Sequence, residues 1–87
     1  MGHREDRKIN MIVQIYGMIG CDYCEKAIEL AEEYELPYIY NELDEDFGMD
    51  DFNVKFPTAT TFPQIVINGI HIGGYSDFEE VMEMASE

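Results

Sequence analysis

The chain has 87 residues, and a hydrophobic fraction of 46% favours one small domain with a packed core over a disordered chain. No apolar run approaches the roughly 20 residues that span a bilayer. The formal net charge of −14 disfavours nucleic acids and anionic membranes as partners.

The charge is distributed unevenly along the chain. Residues 1–10 are polar, slightly basic and unlike a secretory signal, so we expect a flexible N-terminal tail there and one domain over residues 11–87. That domain holds seventeen acidic residues against Lys26 and Lys55, which indicates either a solvated surface or a partner with a basic docking face. A cytoplasmic monomer is the expected state.

The first predicted elements alternate between strand and helix. Met11–Tyr16 is a β-branched and aromatic run that Gly17 ends, which predicts a buried strand. From Cys24 onward, apolar residues recur at helical spacing, which predicts a helix that ends before Leu36-Pro37. These apolar residues are Ala27, Ile28, Leu30, Ala31 and Tyr34. A second strand over residues 38–40 then implies a right-handed parallel crossover.

The second half of the chain predicts a hairpin and a closing helix. Residues 41–56 are acidic, and their apolar residues follow neither the helical nor the strand spacing well. We interpret part of this segment as a short helix. Gln64–Ile67 predicts a third strand, Asn68-Gly69 a two-residue turn, and Ile70–Ile72 the returning antiparallel strand. A stripe of apolar residues at helical spacing predicts a last helix packed on the sheet. It consists of Phe78, Val81, Met82 and Ala85.

Cys21 and Cys24 are the only two cysteines, and they lie where the first strand meets the first helix. Two thiols at this spacing can exchange with disulfides, because one attacks as a thiolate and the other then closes an internal disulfide. The start of a helix favours a thiolate, so we interpret Cys21 as the nucleophile and Cys24 as the resolving thiol. A structural disulfide is disfavoured because such domains usually use more cysteines. A zinc site is disfavoured because His3 and His71 complete no ligand spacing.

Three separated motifs resemble those of glutaredoxins in order and spacing, over residues 11–87. They are Cys21-Asp22-Tyr23-Cys24, Thr61-Phe62-Pro63 and Gly73-Gly74-Tyr75-Ser76-Asp77. The resemblance implies an α/β, thioredoxin-like fold with a four-stranded mixed sheet flanked by helices, and a cis peptide bond before Pro63. It also implies a thiol–disulfide oxidoreductase that reduces protein disulfides and glutathione mixed disulfides, with glutathione as the reducing co-substrate.

The same resemblance implies a set of glutathione-binding residues. In the family pattern the Phe62 backbone pairs with the cysteinyl part of glutathione. The start of the last helix, with Ser76, binds the γ-glutamyl carboxylate, and Asp77 binds the ammonium. Lys55 is a candidate for the glycine carboxylate. The full predicted set is Tyr23, Lys55, Phe62, Pro63, Gly74, Ser76 and Asp77. Simpler interpretations stay open: a surface tyrosine, a solvated lysine, and a helix cap at Ser76 or Asp77.

Two positions depart from the glutaredoxin pattern. Asp22 stands where proline is usual, and Met18 stands where family members often carry lysine. The carboxylates of Asp22 and Glu25 oppose a thiolate that the helix start favours. We therefore expect Cys21 to be the more acidic thiol of the pair, yet less acidic than in relatives that have the proline. Loss of the proline also leaves open an iron–sulfur cluster shared by two subunits and glutathione, although no metal is otherwise expected.

Other functions of the cysteine pair stay open. A thioredoxin-like electron donor would draw electrons from a flavoprotein reductase, although the loop from Gly73 to Asp77 argues against it. A binding module or cluster carrier would show little turnover. The expected partners are glutathione and disulfide-containing client proteins, and the resemblance suggests ribonucleotide reductase as one client. Neither nucleic acid nor membrane is an expected partner.

Overall fold

A computed structural model describes residues 11–85. The predicted flexible tail at residues 1–10 and the last two residues of the predicted domain lie outside the described residues. Residues 11–85 form four strands and three helices. In chain order they are β1 (Val13–Gly17), α1 (Asp22–Glu33), β2 (Tyr38–Glu42), α2 (Met49–Lys55), β3 (Gln64–Ile67), β4 (Ile70–Gly73) and α3 (Tyr75–Ala85). None of these helices is long and apolar enough to cross a membrane.

The strands form one mixed sheet in the order β2-β1-β3-β4. β1 and β2 are parallel, with Ile15 opposite Tyr40. β3 runs antiparallel both to β1 and to β4. The predicted thioredoxin-like fold with a four-stranded mixed sheet is therefore confirmed.

The hairpin between β3 and β4 turns at Asn68 and Gly69, as predicted. Their φ angles are 52° and 82°, the left-handed conformation that a two-residue hairpin turn requires and that asparagine and glycine tolerate best. The Asn68 side-chain oxygen also accepts a hydrogen bond of 2.9 Å from the Ile12 backbone N–H. The turn is thereby tied to the start of β1.

The helices follow the predicted pattern with small differences at their ends. α1 ends at Glu33, ahead of Pro37, and the chain reverses at Glu35, whose φ is 57°. α2 is the short acidic helix expected within residues 41–56. α3 buries Phe78 and Met82, whereas Ala85, the last member of the predicted stripe, is exposed at the end of the helix.

Two apolar clusters cover opposite faces of the sheet, because successive residues of a strand point to opposite sides. Ile65 packs with α1 and α3 in the larger cluster, whose sheet members include Val13, Ile15 and Ile67. Val66 packs in the smaller cluster with Phe52 and Phe56, and Tyr16, Phe47, Ala59 and Phe62 lie against it. The carboxyl end of β1 lies between these two clusters, and the cysteine pair follows it in the chain.

Candidate active site

The cysteine pair lies at the junction of β1 and α1. Cys21 is the N-cap of α1, and its Sγ accepts a hydrogen bond of 3.1 Å from the Cys24 backbone N–H. The two cysteines are joined as a disulfide. Cys24 is only 1% exposed, whereas Cys21 is partly exposed. An attacking sulfur must be reachable, and a resolving sulfur needs to reach only its neighbour, so this difference suits the two predicted roles.

The immediate surroundings of Cys21 are acidic and apolar. Asp22 and Glu25 occupy the first turn of α1 and are both exposed. Met18, Ile19 and Tyr23 are also exposed, to 38%, 77% and 57%. The helix start favours a thiolate at Cys21, whereas the two carboxylates disfavour one.

Phe62 and Pro63 form the opposite edge of the site. The peptide bond between them is cis, as predicted. The Phe62 carbonyl oxygen lies 3.8 Å from Cys21 Sγ, and Pro63 is buried. A polypeptide bound through its own cysteine at Cys21 would therefore meet the Phe62 backbone first.

The loop between β4 and α3 is held by Asp77. Its Oδ2 atom accepts a hydrogen bond of 3.0 Å from the Gly74 backbone N–H, in the manner of a helix capping box. Gly73 has a φ of 132°, and a Cβ atom there would overlap the Asp77 carboxylate. A Cβ atom on Gly74 would lie 3.6 Å from the Pro63 carbonyl oxygen. The loop therefore packs close to Pro63. Asp77 is the third residue of α3 and accepts from the residue before the helix, so it caps the helix start without being the N-cap residue itself.

Tyr23 and the two segments around Pro63 and Gly74 line one groove of about 630 Å³, whereas neither Cys21 nor Cys24 is part of its wall. The groove opens beside Cys21, because Phe62 is part of its wall. Six of the predicted ligand-binding residues line it: Tyr23, Phe62, Pro63, Gly74, Ser76 and Asp77. The structure brings these residues together although they are far apart in the chain.

Lys55 is not among the residues that line this groove. It lines a second groove of about 500 Å³ beside α2, together with Asp46 and Asp51. Its Nζ atom lies 5.9 Å from the centre of the Tyr16 ring. Lys55 therefore lies in the wall of the second groove, whereas the other six predicted ligand-binding residues line the first.

Several lining residues were not in the predicted ligand-binding set. They are Thr58, Ala59, Thr60, Thr61, Gln64, Gly73, His71 and Tyr75. Gln64 is buried, its Oε1 lies 2.7 Å from His71 Nε2, and its Nε2 donates to the Thr61 carbonyl oxygen at 2.9 Å. The sequence places Gln64 in a strand and shows no reason for it to face a groove. Thr61, Gly73 and Tyr75, in contrast, lie inside the motifs shared with glutaredoxins.

Two tyrosines in the wall of the groove lie against each other. The ring centres of Tyr23 and Tyr75 are 5.7 Å apart. Burial raises the pKa of Tyr75, and the nearby carboxylates of Glu79, Glu33 and Glu29 raise it further. The Tyr75 hydroxyl therefore keeps its proton at neutral pH and is available as a donor. Among residues 11–85, no cluster of three or more histidine, cysteine, aspartate or glutamate side chains is arranged to hold a metal ion.

Comparison with known proteins identifies the family. The family model for glutaredoxin matches residues 13–72. The chain belongs to the glutaredoxin family. Glutaredoxin 1 of Escherichia coli strain K12 is 37% identical over 71 residues, which cover 74% of this chain and 84% of that protein.

Solved glutaredoxins share the fold. The structure of reduced Escherichia coli glutaredoxin matches with a TM-score of 0.73 and 32% identity, over 84% of this chain and 94% of that one. The buckwheat glutaredoxin–glutathione complex matches with a TM-score of 0.72 at 22% identity, over 93% and 77% of the two chains. Family membership, together with the paired Cys21 and Cys24, makes this glutaredoxin a thiol–disulfide oxidoreductase.

Proposed function

We propose that this glutaredoxin uses glutathione to reduce both protein disulfides and glutathione mixed disulfides. The observation that carries the proposal is the groove beside Cys21. It offers a polypeptide backbone at Phe62, the start of a helix at Ser76 and a carboxylate at Asp77. These groups match the amide, carboxylate and ammonium groups of glutathione.

Glutathione would lie along this groove with its sulfur at Cys21. Its cysteinyl amide groups pair with the Phe62 backbone, and Pro63 and Gly74 form the adjoining wall. The γ-glutamyl carboxylate accepts hydrogen bonds from the start of α3 and from the Ser76 hydroxyl. Asp77 uses Oδ2 for the Gly74 N–H and has Oδ1 left for the γ-glutamyl ammonium. The buckwheat glutaredoxin, which has the same fold, was solved with glutathione, and this supports glutathione as the ligand.

Mixed disulfides would be reduced through Cys21 alone. The Cys21 thiolate attacks the glutathione sulfur of the mixed disulfide, and the client leaves as a thiolate that takes up a proton. A second glutathione thiolate then attacks the glutathione sulfur now bonded to Cys21. Glutathione disulfide is released, and the electron pair of the broken bond returns to Cys21 as a thiolate.

Protein disulfides would require both cysteines. Cys21 attacks one client sulfur, and the other client sulfur leaves. Cys24 then attacks Cys21 Sγ and releases the reduced client, which leaves the Cys21–Cys24 disulfide. Two glutathione molecules reduce that disulfide in succession and leave as glutathione disulfide.

The proposal also covers the client proteins, the oligomeric state and the cellular compartment. We propose that a monomer over residues 11–87 acts in the cytoplasm, and that ribonucleotide reductase is one of its clients. Its acidic surface, with sixteen acidic residues and two lysines over residues 11–85, favours clients with basic docking faces.

One coupled assay tests the proposal. Reduction of a small glutathione mixed disulfide is followed by NADPH consumption, either with glutathione and glutathione reductase or with thioredoxin reductase. We expect turnover only in the glutathione arm and none with Cys21→Ser. Turnover only with thioredoxin reductase would make the protein a thioredoxin-like donor instead. Turnover in neither arm would favour a binding module, and an absorbance spectrum of anaerobically purified protein would then test for an iron–sulfur cluster.

A further inference from the structure

The Tyr40 hydroxyl approaches the buried cysteine of the pair. Tyr40 lies on β2, next to Ile15 of β1. A Cβ atom built on Gly17 would overlap the Tyr40 hydroxyl oxygen and would lie 2.8 Å from Cys24 Sγ. Because Gly17 has no side chain, the phenol hydroxyl and the Cys24 sulfur share one small space beside it.

Cys24 needs a hydrogen-bond donor when its disulfide opens. The sulfur leaves as a thiolate, and at 1% exposure it has almost no contact with water. A buried anion is costly unless a donor or an opposite charge compensates it. The two cations within residues 11–85 are Lys26 and Lys55; both are exposed, and Lys55 lies beside Tyr16. The polar group that shares the space beside Gly17 with the sulfur is the neutral Tyr40 hydroxyl.

Tyr40 has the properties of that donor. Within residues 11–85 its hydroxyl makes no hydrogen bond, in contrast to Tyr38 on the same strand, whose hydroxyl donates to Glu32 at 2.8 Å. Burial raises the pKa of Tyr40, and the carboxylates of Glu42 and Glu25 raise it further. The Tyr40 hydroxyl therefore keeps its proton at neutral pH.

We propose that the Tyr40 hydroxyl donates a hydrogen bond to the Cys24 thiolate as the Cys21–Cys24 disulfide opens. An incoming thiolate forms a bond to Cys21 Sγ, the bond between the two cysteine sulfurs breaks, and its electron pair stays on Cys24 Sγ. The proton remains on Tyr40, and the Cys24 thiolate is the product of this step. In the reverse direction the same bond stabilises the Cys24 thiolate that attacks Cys21.

Replacing Tyr40 by phenylalanine removes the hydroxyl and keeps the ring in the core. We expect Tyr40→Phe to slow the reduction of the Cys21–Cys24 disulfide by dithiothreitol about threefold to tenfold, the range that one hydrogen bond contributes. In a Cys21→Ser background, Tyr40→Phe should also raise the pKa of Cys24, measured by thiolate absorbance. A loss of packing alone would not move that pKa in a defined direction.

Tyr38→Phe is the matched control, because it removes a hydroxyl from the same strand that points to Glu32 instead. It should leave both measurements at the parental values. If Tyr40→Phe left both the reduction rate and the Cys24 pKa unchanged, or changed them no more than Tyr38→Phe does, the proposal would be overturned. The inference rests on the dithiol exchange proposed above but not on glutathione. Dithiothreitol can therefore refute it independently of the coupled assay.

Discussion

The two sides of the active site are built in different ways. One side, Cys21 to Cys24, acts through its sulfur atoms. The carboxylates of Asp22 and Glu25 in the same helical turn disfavour a thiolate at Cys21. The other side, Phe62 to Asp77, presents mainly backbone, held by a cis peptide bond and by the hydrogen bond from Gly74 to Asp77. The comparison teaches that reactivity and binding are separable here: the first side should set rates and thiol acidity, and the second should set affinity.

The largest expected effect tests whether the sulfur side alone carries the chemistry. Cys21→Ser should lower the reduction of both substrate classes at least about a thousandfold, because the nucleophile is lost. Cys24→Ser should keep much of the activity on glutathione mixed disulfides and lose the reduction of protein disulfides, since only the latter needs a resolving thiol. Both activities are measured in the glutathione-coupled assay. A Cys21→Ser variant that stayed active on both substrates would show that the nucleophile is misassigned.

An intermediate effect is expected on the binding side. Asp77→Asn keeps an oxygen that can accept from the Gly74 N–H but removes the charge that we propose to bind the γ-glutamyl ammonium. We expect KM for a glutathione mixed disulfide to rise about tenfold with little change in kcat, because a charge-assisted hydrogen bond is lost.

Lys55→Gln is the matched change of charge outside the groove. It should alter KM less than about twofold, as expected for an exposed charge outside the groove wall. A tenfold rise with Lys55→Gln would restore the glycine-carboxylate role predicted from the sequence. A fall in kcat without a change in KM for Asp77→Asn would break the division between the two sides.

The smallest expected effect concerns the acidity of Cys21. Asp22 is the first residue of α1, a position that accepts proline well, so Asp22→Pro should fold. Removing the carboxylate should lower the pKa of Cys21 by less than about one unit, because the two charges meet in a solvated setting. Thiolate absorbance titration measures the change, which should shrink in high salt.

Asp50→Asn serves as the control for this titration, since it removes an acid from the first turn of α2 instead. It should leave the pKa of Cys21 unchanged. An unchanged or higher pKa in Asp22→Pro would mean that the missing proline does not explain the acidity of this site.

The sulfur side was largely predictable from the sequence. The strand at Val13–Gly17, the amphipathic helix after it and the placement of Cys21 at the helix start all follow from local residue patterns. The same is true of the Asn68-Gly69 turn, because its conformation depends on two neighbouring residues. Local residue patterns predict an element reliably where the backbone preferences of its residues and the spacing of its apolar residues indicate the same structure.

The position of Lys55 could not be predicted from local residue patterns. Its charge is readable, but its position depends on how α2 packs, and Phe52 and Phe56 direct that helix onto Val66. This packing places Lys55 beside Tyr16 and outside the groove. No local pattern encodes that orientation, because it results from contacts between residues distant in the chain.

The sequence by itself therefore determined the order of elements, the reactive pair and the family motifs, since each depends on neighbouring residues or on recognised residue types. Only the tertiary structure decided which groups meet at the sulfurs. The pairing of β1 with β2 and the missing side chain of Gly17 bring the Tyr40 hydroxyl to Cys24, and the packing of the β4–α3 loop brings Gly74 to Pro63. Such contacts depend on register and on steric fit between distant segments, and they decide how a common cysteine pair is tuned in this protein.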